Sequence, residues 1–462
     1  MSHHAPAATA AAPHAEAEEA RRPWTVLAVM LLAQLMVVLD VSVVNVALPS
    51  IGKALDFTST DYQWTVSAYV LLSGGLLLLG GRLADLLDRR TMFLSGLTLF
   101  TAASLVSATA SSATALILSR GAQGAGAAML TPAALSIIMS TYSGRQRATA
   151  LGIWGTIGSM GIAIGVLFGG VLTTAFDWRA IFFINVPIGV VAAVQTLRLV
   201  HRGHGARSLR GVDVPGAAAL VGGLLALVYG IEGTRTHGWT SAHTLVAFGA
   251  AAALLAAFTV IERRVPAPLV PPSTWRVRSL ISASTVMAVI TGAVVGVIFL
   301  SSLFLQTVLG SSAVVTGLEF LPLAASITLG AGVASHLLGK VSAKSMMVVG
   351  LFVVAGGALV LAAMDSHPGY AADVLPGFVL VGLGVGPMFV AISVAAMSGI
   401  RSEESGLASG VRMTGQEIGA ALGVAILTTV GGDLTKASGL LVAYPTALTA
   451  PQSSCWPLRC SR

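Results

Sequence analysis

The stretch whose reading decides the fold is Leu39 to Pro49, LDVSVVNVALP, which sets one carboxylate, Asp40, inside an otherwise apolar run from about Thr25 to Leu48. A run of that length crosses a bilayer of ~30 Å at ~1.5 Å per residue. A charge at that depth costs about 2.5 to 3.5 kcal/mol even on the lenient insertion scale. Asp40 is therefore either neutral for part of its life or paired. A group that alternates between those conditions suits the coupling of a proton to transport.

The rest of the chain agrees with a membrane setting. Of its 462 residues 55% are hydrophobic and 10% charged, with mean hydropathy +0.85. Soluble domains carry roughly 25% charged residues. Apolar runs of ~18 or more residues recur from end to end, and the ~10-residue alternation of a membrane β-barrel is missing. The expected class is an all-α polytopic membrane protein whose surroundings are the lipid bilayer. The net charge of +7 then marks loops on the cytoplasmic side and not a nucleic-acid surface.

Apolar runs set against charged breaks give thirteen spans, near 25–48, 64–81, 91–110, 113–139, 149–175, 180–200, 213–232, 243–261, 281–306, 314–337, 346–364, 373–398 and 408–430. With the N-terminus inside, 19 of the 26 Lys and Arg fall on the inner side, 6 fall outside, and Arg120 lies within a span. That asymmetry predicts a cytoplasmic N-terminus. Residues 1–22 read as a disordered cytoplasmic tail. The odd count places residues 431–462, with Cys455 and Cys460, outside the cell. The expectation is an end shortened or shifted in frame, with a fourteenth span lost; the alternative is a genuine odd topology.

Four further motifs carry chemistry. GRLADLLDRR, from Gly81, is a short inner loop. Gly81 there permits close helix approach, and Asp85 with Arg89 and Arg90 can form a network present in only one global conformation, a latch. The plain alternative is an ordinary basic inner loop. LILSRGAQGAGAAM holds Arg120 at the same depth as Asp40, ~10–12 Å below the outer end of its span at ~1.5 Å per residue. Matching depth allows an Asp40–Arg120 interaction, direct or through water, since burying either charge alone is costly; the plain alternative is a structural ion pair or an Arg that snorkels to the outer surface. In the fifth span Gly161, Gly165, Gly169 and Gly170 belong to a series spaced by three and four, which predicts one smooth helix face. The fourth motif, WRAIFFINVPIG, runs from Trp178 to Gly189.

In this order and spacing, across residues 25 to 430, the motifs resemble those of the major facilitator superfamily, and within it the fourteen-span drug:proton antiporters of the EmrB/QacA type. The resemblance implies two six-helix bundles plus two linking helices: 23–200 as the N-terminal bundle, 201–278 as the linkers, and 279–430 as a C-terminal bundle of five spans with the last missing. It also implies proton-coupled efflux of a small hydrophobic or cationic drug by alternating access, with a proton gradient and no cofactor, no enzymatic activity and no metal; a monomer is expected. Asp40 is then the proton carrier, with Arg120 beside it: burial favours the neutral acid and Arg120 the carboxylate. Gln34, Asn45, Tyr69, Gln123 and Glu417 are the substrate-cavity candidates. Gln34 and Asn45 share a face, with Asp40 ~120° to one side at ~100° per residue. Glu417 is a second titrating candidate, against the plainer expectation that it pairs with Arg412. Glu319, Glu232 and Asp213 fall near helix ends and are expected at the interface. Two departures stand out. Asp88 replaces the usual second Gly of the inner-loop motif, and Val166 replaces the usual Pro of the antiporter motif. Val166 leaves an uncoupled metabolite facilitator as a rival reading, and the short C-terminus leaves a non-functional truncated transporter.

Overall fold

The computed structural model describes residues 13–86, 88–200, 213–266, 268–270, 277–337, 340–363, 368–397 and 405–431. In chain order its helices are α1 (Pro13–Ala54), α2 (Ser59–Leu86), α3 (Arg89–Ala108), α4 (Ala113–Thr141), α5 (Gly144–Ala175), α6 (Ala180–Phe183), α7 (Asn185–Leu199), α8 (Val214–His237), α9 (Ala242–Arg264), α10 (Arg278–Thr307), α11 (Ala313–Glu319), α12 (Leu321–Leu337), α13 (Ala343–Ala362), α14 (Leu375–Met397) and α15 (Ser405–Gly431). Eleven described segments are long and apolar enough to cross a membrane. The expected spans 149–175 and 408–430 fall on α5 and α15.

Local chemistry explains the ends and breaks. Ser112, Ser241, Ser312 and Ser342 cap α4, α9, α11 and α13, each side chain accepting a backbone N–H of the first turn. Asp56 turns the chain between α1 and α2 at φ 50°, a left-handed conformation that Asp tolerates. Three expected spans are broken near a proline. Pro187 follows the α6–α7 break, Pro322 the α11–α12 break, and Pro376 the π-helical turn Tyr370–Val374 that opens α14. Each proline removes the N–H that would have continued the ladder. The helix α1 begins at Pro13, inside the stretch expected to be a disordered tail, because Pro suits a first helical position and the Ala, Glu and Arg that follow are strong helix formers. The expectations for residues 432–462 lie outside the described residues.

Helices α1 to α7 pack among themselves, chiefly α2 and α3 on α4 and α1 on α5. Helices α10 to α15 form a second group, with α12 and α13 on α14 and α10 on α15. The pair α8–α9 stands beside them, with α8 against both α2 and α15. Small residues set these distances: a Cβ on Gly124 of α4 would collide with the Tyr69 backbone of α2, and one on Gly419 of α15 with the Ala288 backbone of α10.

The two groups are bonded at one face of the molecule, the one reached by the C-terminal ends of α1, α10 and α15 and the start of α2. There the Ser302 hydroxyl donates to the Asn45 carbonyl (2.6 Å), the Gln306 amide to the Val46 carbonyl (2.8 Å), and the Thr428 hydroxyl to Gln63 Oε1 (2.8 Å). Gly170 of α5 packs its backbone on Ala313 at the start of α11. These contacts tie the two groups together here.

Candidate functional site

Asp40 and Arg120 meet directly. Their side chains form an ion pair in which Arg120 Nη1 donates to Asp40 Oδ2, and the residues are 3% and 2% exposed. Taking two charges out of water is costly, so the rest of the site matters more than the pair itself. Asp40 Oδ1 receives two more donors, Gln123 Nε2 at 3.0 Å and Asn185 Nδ2 at 3.2 Å. Arg120 also gives Nη1 to Gln123 Oε1 (3.0 Å) and Nε to the Thr65 carbonyl (3.4 Å), and its guanidinium lies 4.3 Å from the centre of the Tyr69 ring. That last contact is a cation–π arrangement in a desolvated setting.

Gln123 is the hub. Its amide nitrogen also donates to Ser104 Oγ (2.8 Å), its carbonyl oxygen accepts from Ser107 Oγ (3.2 Å), and Ser107 bonds Ser119 (2.8 Å). Arg120 and Gln123 are three apart on α4 and so share a face; Asp40 comes from α1 and Asn185 from the first residue of α7. Sequence reading missed Asn185, Ser104, Ser107 and Ser119. The available signal was an Asn two residues before Pro187: the proline break lets α7 start there and leaves the Asn side chain free to reach α1.

The other candidates divide. Tyr69 is buried over Arg120 and its hydroxyl has no hydrogen-bond partner. Gln34 Oε1 accepts from Thr131 (3.4 Å), and Asn45 Nδ2 turns back to its own helix at the Val41 carbonyl (2.8 Å); neither bonds Asp40, in keeping with their different helix face. Glu417 is not paired with Arg412: Arg412 Nη1 reaches Gln416 instead (3.4 Å), one turn along α15. Among the described residues the ion pairs are Asp40–Arg120 and Asp177–Arg179. Glu417 packs its Cβ on Gly74 of α2, in the seam between the two groups. Glu232 and Asp213, expected at the interface, are buried at 6% and 2% exposure; Glu232 accepts from Thr60 Oγ1 (2.8 Å) where α8 meets α2.

The latch motif is only partly expressed. Gly81 lies within α2, and a Cβ there would come no nearer than 4.0 Å, to Pro132. The close approach expected of it is made one residue earlier, where a Cβ on Gly80 would strike the Ala128 carbonyl. One residue of shift rotates ~100° about the axis, which is why the motif's position misled. Asp88 has φ −61° and caps α3, accepting from Thr91 N and Oγ1, so this position needs no glycine. Arg90 donates to the Leu197 carbonyl of α7 (3.0 Å), within the first helix group, and Arg89 is exposed. The side chain of Asp85 and the surroundings of Gly161 and Val166 lie outside the described residues. The glycine face of α5 serves two partners: Gly165 and Gly169 pack on Ser42 and Val43 of α1, while Gly170 packs on α11.

The sequence matches the family description "Major Facilitator Superfamily" over residues 30–213 and again over 214–424. It is 36% identical over 420 residues to the puromycin resistance protein pur8 of Streptomyces alboniger, covering 90% of this chain and 83% of that protein. It is 36% identical over 421 residues to the cephamycin export protein CmcT of Amycolatopsis lactamdurans, covering 90% and 86%. The fold is similar to that of a bacterial homologue of the human lysosomal transporter Spinster in an inward-facing, unoccupied conformation, with TM-score 0.66, 17% identity and coverage of 93% and 94%. Eleven described segments long and apolar enough to cross a membrane, two helix groups and a sequence match spanning both place the chain in the major facilitator superfamily, among relatives named for antibiotic resistance and export.

Proposed function

We propose that this protein exports a small hydrophobic or cationic drug or antibiotic across a bacterial inner membrane in exchange for protons, by alternating access. The observation that carries the reading is the buried Asp40–Arg120 pair and the donors around it. A proton taken up by Asp40 cancels the charge that holds Arg120. Arg120 then keeps Gln123, the Thr65 carbonyl and the Tyr69 face, and the five helices that supply the cluster (α1, α2, α3, α4 and α7) lose their ionic tie. Release of the proton restores it. The Lys and Arg asymmetry puts the bonded face on the extracytoplasmic side.

The test is drug-induced proton movement in everted vesicles. Wild-type protein should dissipate an imposed pH gradient on addition of a transported drug, and Asp40→Asn should abolish that signal. One observation favours a second reading, uncoupled facilitation: Asp40 already receives three donors, so its charge is well compensated without titrating. Drug transport that continues unchanged in Asp40→Asn, with no proton movement in either protein, would support that rival and reject coupling.

A further inference from the structure

Helix α15 carries two charges that no ion pair among the described residues uses, Arg412 and Glu417. Its packing fixes which way they face. Toward α2 it turns Gly410 against Leu78, Glu417 against Gly74, and Thr428 to Gln63. Toward α10 it turns Gly415 against Ser284, Gly419 against Ala288, and Gly423 against Gly292. Toward α8 it turns Thr429, whose hydroxyl donates to the Ile231 carbonyl (3.4 Å). At ~100° per residue these three lines fall at roughly 0°, 180° and 100° about the axis. The remaining side, at about 280° on the same wheel, is flanked by α2 of the first group and α10 of the second, so it looks into the seam between them. Met413, Gln416 and Ala420 lie on it, with Glu417 at its α2 edge and Arg412 at its α10 edge. This side is shut at Ala420 and Val424, both buried, while Arg412, Met413, Gln416 and Glu417 are half-buried. Its accessible part is therefore the inner half.

Arg412 stays cationic and lies ~10 Å from the start of α15 at ~1.5 Å per residue. An arginine at that depth ordinarily snorkels to the nearer surface. This one turns the other way: Nη1 reaches Gln416 Oε1 (3.4 Å), one turn deeper. A long bond to a neutral amide does not balance a charge. Glu417 cannot do so, since a separation of five residues is ~140° of rotation and ~7.5 Å of rise, and helix side chains meet at three or four. The helix thus holds two opposite charges apart. Beside them, Ser284 of α10 is 8% exposed and its hydroxyl is buried without a partner; its contact with Gly415 sets it at the level between Arg412 and Gln416. Arg401, Glu403, Glu404 and the side chain of Asp85 lie outside the described residues.

Charges that a membrane protein keeps in its interior and does not itself neutralise mark a ligand path. Two of opposite sign, held apart, suit a ligand that brings both counter-charges. We propose that Arg412 and Gln416 receive a carboxylate of the exported molecule and Glu417 its protonated amine, so that the cargo includes dipolar drugs with an acid and an amine on one apolar body. The guanidinium matches a carboxylate with two parallel N–H donors, Ser284 offers a further hydroxyl, and Met413 supplies apolar surface between the two charges. The proposal rests on the export reading above and adds to it a class of cargo and the residues that select it.

Three probes share one scaffold: ciprofloxacin carries both groups, its methyl ester lacks the acid, and its N-acetyl derivative lacks the amine. Uptake into everted vesicles gives a KM for each, and in wild type that of ciprofloxacin should be the lowest. In Arg412→Gln the ratio of the ciprofloxacin KM to the ester KM should rise about tenfold, the worth of a hydrogen bond to a charged group, and Arg412→Lys should recover part of it. In Glu417→Gln the ratio of the ciprofloxacin KM to the N-acetyl KM should rise likewise. Unchanged ratios, with all probes weakened alike, mean a structural role and overturn the proposal. If the variants fail to insert, a wild-type KM for the ester at or below that for ciprofloxacin overturns it equally. Uptake of ethidium without ciprofloxacin overturns it and leaves drug export standing, whereas uptake of neither overturns both.

Discussion

Asp40 and Arg120 stabilise each other more than either stabilises the fold, and a double-mutant cycle measures this. In Asp40→Asn the amide has one oxygen for three donors, so whichever way it is turned a donor meets a donor, and a guanidinium that is 2% exposed is left without a counter-charge. Arg120→Gln leaves the carboxylate with only the Gln123 and Asn185 amides. Removing one member of a buried pair costs about 3–5 kcal/mol, mostly the penalty of the stranded charge. The double variant strands nothing: two amides can bond each other and keep Gln123 and Asn185 as partners. It should therefore cost less than either single variant added to the other, with a coupling of about 2–3 kcal/mol, the upper part of the range for residues in one network. Unfolding of the purified protein in mixed micelles gives all four corners of the cycle. Additive costs, within about 0.5 kcal/mol, would refute the claim that the pair acts as one unit.

Three further outcomes test neighbouring claims. Asn185→Leu removes a donor to Asp40 and should cost about 1–3 kcal/mol of stability while reducing drug-driven proton flux; unchanged flux would detach α7 from the coupling cluster. Gly80→Ala should destabilise the protein by about 1–3 kcal/mol through overpacking against Ala128, whereas Gly81→Ala, whose Cβ would make only an ordinary contact with Pro132 at 4.0 Å, should be close to neutral. Equal effects at the two positions would mean that α2 sits on α4 in a different rotation. Ser302→Ala with Gln306→Leu removes two of the bonds that tie the groups at one face at about 0.5–1.5 kcal/mol each. Cysteine labelling near Asn45 from outside the cell should rise several-fold, and no change in labelling would mean that these bonds do not limit access there.

Asp40 lies five residues before Asn45, ~7.5 Å deeper along α1 at ~1.5 Å per residue, so it sits beneath the bonded face and not within it. The bonds at that face involve main-chain carbonyls of α1 and side chains of α10 and α15, while the Asp40 cluster is built wholly within the first helix group. α1 and α2 are the two helices that contribute both to the cluster and to these bonds.

The sequence by itself determined that the chain is a series of long apolar helices and that Asp40 and Arg120 sit at one level. These follow from local quantities: hydropathy marks where a helix enters lipid, and a fixed rise per residue converts position into depth. Only the tertiary structure decided rotation and neighbours. It selected Gly80 over Gly81, turned Gln34 and Asn45 away from Asp40, sent Arg412 to Gln416 and left Glu417 unpaired. It also brought Asn185 to a carboxylate 145 residues away and buried Asp213 and Glu232 where the pattern suggested the membrane surface. The physical reason is that rotation about a helix axis is set by which small residues allow two backbones to touch, and in lipid a hydrophobic face alone does not choose between partners.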